Sequence, residues 1–135
     1  MHFRASIANP FNPELTELGP LTPAQIRDTF SRVPWNDLIA QINADDGREV
    51  FHSPSLEVEN QSNKHGLVLS AIDGKEWLIF YKRPKLIVKR SLFSKKEVMD
   101  ENYMSEKAVS GADEALRCLQ ALLDGKLDEL ERMFG

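Results

Sequence analysis

The chain has 135 residues, 41% hydrophobic and 28% charged, with a formal net charge of −4; a single domain of this size buries roughly 70% of the surface its unfolded form exposes and holds a core without staples. One cysteine, Cys118, excludes an internal disulfide framework and favours a reducing compartment. The opening MHFRASIANPFNPE lacks the apolar stretch of a signal peptide, and the run at residues 77–81 is far too short to cross a bilayer, so a cytoplasmic protein without a membrane partner is expected.

Residues 1–21 carry Pro10, Pro13 and Pro20, with Gly19 beside the last. Proline removes backbone donors and biases the preceding residue away from helix, so an irregular or extended arm is expected here, with room for a short strand at residues 3–7. At Thr22 the chain changes character. Thr22 as N-cap, Pro23 at the first helical position and Gln25 at the third form a capping-box pattern, in which two side chains satisfy orphan backbone donors. Ile26, Phe30 and Val33 follow on one stripe. Pro34 separates this helix from a second, in which Trp35, Leu38, Ile39 and Ile42 lie at i, i+3, i+4 and i+7, closed by Asp45, Asp46 and Gly47.

A sheet region follows at residues 48–93. Short strands are expected at 48–52 and 56–60, the latter with Leu56 and Val58 on one face and Glu57 and Glu59 on the other. Strands at 66–72 and 76–82 flank Asp73-Gly74, a pair that predicts a two-residue type I′ hairpin turn with positive φ at both positions. Pro84 predicts a break that turns Lys82, Arg83 and Lys85 outward, after which residues 86–93 resume as a strand. Residues 94–110 are polar and read equally as loop or short helical turn. A final helix is expected from Ser110 as N-cap, with Asp113 and Glu114 in its first turn, a stripe through Ala115, Leu119, Leu122 and Leu123, and Gly125 as the stop before a short second piece. The fold class is therefore α+β: one domain, residues 1–135, with two short N-terminal helices (22–45) and an antiparallel β-meander of about four to five strands covered by a C-terminal helix (110–134) that breaks near Gly125.

The charge is unevenly distributed. Residues 82–96 hold seven basic side chains and no acid, and the remainder carries ten basic against twenty-one acidic residues, a balance of −11. This basic segment, entered by Trp77, Phe80 and Tyr81, suits an acidic protein partner, a nucleic acid read by stacking and phosphate contacts, or a sheet edge guarded against mispairing. Other chemistry has weaker anchors. His2, His52, His65 and Cys118 show no metal-ligand spacing, no nucleophile elbow occurs, and the glycines are isolated rather than phosphate-cradling. Glu57 with Glu59, and Asp45 with Asp46, read as solvated pairs before they read as a proton-sharing dyad. Neither catalysis, a metal nor a cofactor is expected.

The stretches SPSLEVEN, GLVLSAIDGKEWLIFYKRPK and DEALRCLQALLDGKLDELERMF, in a small acidic α+β chain, resemble the immunity proteins of bacterial polymorphic toxin systems, those of contact-dependent inhibition or type VI secretion. The likeness runs from about Thr22 onward and is one of build. It implies a non-enzymatic inhibitor that binds a cognate toxin or effector domain and blocks it, as monomer or homodimer. The expected partner-binding face is Asp73, Lys75, Trp77, Tyr81, Lys82, Arg83 and Lys85, since Trp, Tyr and Arg most often anchor interfaces; Glu57 and Glu59 are the second choice, suited to a basic toxin. Alternative readings are a type III-like secretion chaperone, and a nucleic-acid-binding regulator using residues 82–96.

Overall fold

A computed structural model describes residues 2–44 and 46–135, which form six strands and four helices. The strands are β1 (Phe3–Ala8), β2 (Thr16–Leu21), β3 (Ser55–Asn60), β4 (Gly66–Ala71), β5 (Glu76–Arg90) and β6 (Lys95–Ser110). The helices are α1 (Pro23–Arg32) and α2 (Trp35–Asn43) before β3, and α3 (Gly111–Leu123) and α4 (Leu127–Phe134) after β6. All strand pairs are antiparallel, in the order β2-β1-β3-β4-β5-β6. The α+β class stands. The meander is β3 to β6, and the proline-containing start adds two more strands beyond β3.

The expected irregular arm is thus a hairpin. Pro20 is tolerated because β2 is an edge strand, where a missing donor faces solvent. Gly19, at φ +76°, takes up the register shift between Ala5 and Ser6 on the neighbouring strand. The capping box at α1 forms as the residues predict: the Gln25 N–H donates to Thr22 Oγ1 at 3.3 Å, and the Thr22 N–H donates to Gln25 Oε1 at 2.9 Å. The α2 helix ends at Asn43; Asp45, half of the expected Asp45–Asp46 pair, lies outside the described residues.

Four local expectations change. Residues 48–52 are not a strand. The Phe51 N–H donates to Pro10 O at 2.8 Å, His52 Nε2 lies 2.8 Å from Asn12 O, and the Arg48 guanidinium stacks over Phe11, so this segment is tied to the β1–β2 loop. The β4–β5 link is longer than a two-residue turn, and neither Asp73 nor Gly74 has positive φ. Asp73 Oδ1 instead accepts from the N–H groups of Lys75 and Glu76, at 2.8 and 2.6 Å, and this side-chain-to-backbone turn closes a four-residue loop. Pro84 does not end its strand. β4 has stopped pairing by Lys82, so the missing proline donor falls on an unpartnered side, and the β5–β6 ladder passes it with a bulge between Arg83 and Lys85. The undecided stretch at 94–110 is β6 from Lys95 onward.

The core lies between one sheet face and the helices. The sheet contributes Phe3, Ala5, Leu56, Val58, Leu67, Leu69, Ala71, Trp77, Ile79 and Tyr81, and the helices contribute Ile26, Phe30, Trp35, Ile39, Leu119, Leu122, Leu130 and Phe134. Each large side chain removed from water contributes about 1.5–3 kcal/mol. Phe30, Trp35 and Trp77 form an aromatic knot, with the two Trp rings edge-to-face at 4.9 Å and the Trp35 Nε1–H donating to Phe30 O at 3.0 Å. The α3 helix packs on β4, β5 and β6, and against α1 and α4. Gly125, at φ +71°, donates its N–H to Leu122 O and stops α3. Among the described residues no helix is long and apolar enough to cross a membrane.

Candidate functional site

Side-chain parity along the strands divides the sheet. Trp77, Ile79, Tyr81 and Arg83 point to the helices, while Leu78, Phe80 and Lys82 point to the opposite face. On β3 the same alternation buries Leu56 and Val58 and turns Glu57 and Glu59 to that opposite face. The helix contacts made by Trp77, Tyr81 and Arg83 all lie on the first face, so the second is left open.

Two contiguous hollows, of about 360 and 410 Å³, run across the open face and share Leu15, Glu57 and Val68. The floor is apolar and half-buried, made by Val68, Leu78 and Phe80. The wall is charged. Lys82 Nζ lies 3.2 Å from Glu59 Oε2 across Gly66, and Arg4 Nε lies 3.4 Å from Glu17 Oε2. Glu57, between Ser6 and Val68 in register, makes no ion pair among the described residues. Gly66 lets β3 and β4 approach closely beside the groove: a Cβ there would stand 2.9 Å from the backbone oxygen of Val58.

A second surface is the arm. Beyond the bulge, β5 and β6 pair only with each other, from Lys85↔Asp100 to Arg90↔Lys95, and project past the rest of the sheet. At the tip Leu92 and Phe93 are 94% and 96% exposed. Two like-charged pairs sit directly opposite each other just below it, Lys89 against Lys96 and Arg90 against Lys95. Leu86, Val88 and Met99 add further exposed apolar surface along one side.

The expected binding face is corrected by this geometry. Trp77 and Tyr81 are 3% and 0% exposed and belong to the core. Arg83, at 1%, turns inward rather than outward. Its Nε and Nη2 donate to the two carboxylate oxygens of Glu131 on α4, at 2.8 and 3.1 Å, and Nη1 donates to Tyr81 O and Ser105 Oγ, at 3.1 and 2.8 Å. The guanidinium lies between the Tyr81 and Tyr103 rings. Lys85 stays half-exposed at the arm root, 3.7 Å from Glu131. Asp73 and Lys75 are exposed in the β4–β5 loop, at the opposite end of β5 from the arm tip. The structure brings Glu57, Glu59 and Lys82 together in the groove and scatters the others.

Electrostatics around Arg83 match a structural clasp. The Arg83 hydrogen bond holds the Glu131 carboxyl below its ordinary range. Burial, with Glu131 nearby, pushes the Tyr81 phenol up to about 12. Burial also pulls His65 down, and its Nδ1 shares a 2.6 Å hydrogen bond with the Tyr81 hydroxyl. Cys118 is buried in α3 with its thiol pushed up by burial, which leaves it a poor nucleophile. No group of three or more His, Cys, Asp or Glu side chains is placed to hold a metal ion among the described residues.

Residue-type reasoning overlooked the groove floor and the arm tip. The even parity of Leu78, Phe80 and Lys82 was a usable signal for the first. Comparisons with protein-family models, curated proteins and solved structures find no match for this chain.

Proposed function

We propose that this chain is a non-enzymatic protein-binding module that acts in the cytoplasm as an immunity protein, neutralising a cognate bacterial toxin domain through the open sheet face. The observation that carries this reading is the groove itself: an apolar floor of Val68, Leu78 and Phe80 beside Glu57 and Glu59 on a rigid sheet. With Glu17 and Glu59 of the wall already paired to Arg4 and Lys82, Glu57 is the carboxylate left to take a Lys or Arg from a basic toxin surface whose apolar anchors rest on the floor. The resemblance in build to immunity proteins adds the partner class.

The test is titration against any toxin domain that a neighbouring gene is found to encode. Tight binding is expected, with loss of toxin activity in the complex. Glu57→Lys with Glu59→Lys should weaken binding at least a hundredfold while leaving the melting temperature within a few degrees. Undiminished affinity in that variant would remove the groove assignment, and no inhibition by the wild type would remove the immunity reading.

A further inference from the structure

We infer that the β5–β6 arm is a self-association device: the tip of one copy docks in the open groove of a second copy. The inference rests on the groove and arm and not on any toxin; because one groove cannot hold both, a toxin domain would have to displace the arm, and a dimer that persists without any toxin tests the arm alone.

Three observations lead there. First, the arm is unfavourable as it stands alone. Leu92 and Phe93 are almost wholly exposed, and the cations beside them face each other directly across the ladder, with Glu97 opposite Val88 as the nearest acid in register. A surface that is both apolar and acidic relieves both defects at once. Second, the groove offers both features, Val68, Leu78 and Phe80 as an apolar floor and Glu57 as a carboxylate with no ion pair among the described residues, Glu59 and Glu17 being held by Lys82 and Arg4. Third, the arm cannot serve its own groove. From Phe80 to Arg90 β5 stays paired with β6, with one bulge between Arg83 and Lys85, so the tip lies about 30 Å along the strand from the groove floor at roughly 3.3 Å per residue.

Charge decides between occupants. An anionic membrane or a nucleic acid would attract the arm but repel the remainder of the chain, whose balance is −11. A second copy offers the unpaired Glu57 of its groove, within an otherwise acidic chain, to the basic arm, and two-fold exchange makes the contact twice. In this arrangement Phe93 sits among Val68, Leu78 and Phe80 of the other copy, and Arg90 or Lys95 reaches Glu57.

The experiment is sedimentation of the full-length chain over a range of concentrations, at low and at high salt. The expected mass is twice the 15.3 kDa of one chain, with at least tenfold weaker association in 0.5 M salt. Leu92→Ser with Phe93→Ser, and separately Glu57→Lys, should each weaken self-association at least tenfold. Mixed together, the tip variant keeps an intact groove and the groove variant an intact arm, so a heterodimer through one contact should form. Both changes are at accessible positions, and circular dichroism checks that each variant is folded. A photo-crosslinker at Ser94→Cys, selective because Cys118 is buried, should mark the β3–β5 region of the other copy whether or not the variants behave. A wild type that stays monomeric overturns the inference. So does a dimer indifferent to both variants, a cross-link mapping elsewhere, or a monomer that binds phosphatidylserine vesicles or single-stranded DNA through the tip.

Discussion

Arg83, at the root of the arm, forks onto the carboxylate of Glu131 on α4, forty-eight residues later, at 2.8 and 3.1 Å. The two ends of this clasp are unequal. Arg83 is buried, whereas Glu131 is still partly open to water. Removing Glu131 strands a buried cation; removing Arg83 releases a carboxylate that water can solvate. Glu131→Ala should therefore cost about 3 kcal/mol, the lower end for breaking a buried pair. Arg83→Met, which refills the space between the two tyrosines, should cost about 1–2 kcal/mol. Urea midpoints at constant slope check the order. Equal losses would mean that Arg83 is better solvated than its position implies.

Acid should loosen the same region in two stages. His65 is held below its ordinary 6.5 by burial, so the unfolded chain takes up that proton first. Stability is complete above pH 6.5 and falls as the pH drops through the folded-state value. Glu131, held below 4.5 by Arg83, acts with the same sign lower down. Tyr81 has the opposite sense: its raised value means that stability present below pH 10.0 is lost as the pH climbs toward about 12. Thermal melts of wild type and His65→Gln from pH 7.5 to 4.5 test the first stage. The variant should be flat where the wild type declines, and a decline of equal slope in both would discard the assignment to His65.

Trp77 joins the sheet to both N-terminal helices through Trp35 and Phe30. Trp77→Ala should cost about 3–5 kcal/mol, a large share of the roughly 5–15 kcal/mol that holds a domain together. Near-ultraviolet circular dichroism should lose its Trp signature before helix content falls in far-ultraviolet spectra. Retention of that signature would mean that Trp35 packs well without its partner.

Gly66 is required by space and not by its φ angle, since the nearest atom to an added Cβ is a backbone oxygen that cannot rotate away. Gly66→Ala should cost about 1–3 kcal/mol by overpacking and shift β3 against β4. Amide exchange at Val58 and Glu59 reads the shift directly. A fully stable variant with unchanged exchange would show that the strands separate at no cost.

Much of the fold was legible because local signals agreed with global ones. The Thr22 capping box, Pro34 between two helices and Gly125 as a stop all act within a few residues and need no partner. The strand at 95–110 was illegible for a converse reason. Val98 with Met99, and Tyr103 with Met104, place apolar residues on adjacent positions, so no two-residue period exists, and only pairing to β5 makes that segment a strand. The candidate face was misread through parity. Apolar and basic residues occupy both faces of residues 77–83, and residue type alone put Trp77, Tyr81 and Arg83 outside. What draws Arg83 inward is Glu131, a long-range partner that no local window contains. Asp73-Gly74 marked the right place for a turn, but the Asp73 side chain supplied the turn's hydrogen bonds and removed the need for positive φ.

The order of elements has a consequence for synthesis. Every strand leaves the ribosome before α3, yet α3 and α4 bring Leu119, Leu122, Leu130 and Phe134 to the apolar sheet face. From the synthesis of β5 until α3 follows β6, that face, with Leu56, Leu69, Trp77 and Ile79, has only α1 and α2 to shelter it. The nascent chain therefore passes through a sticky stage late in its production, when a holdase or rapid release matters more than for a protein whose covering helices come first.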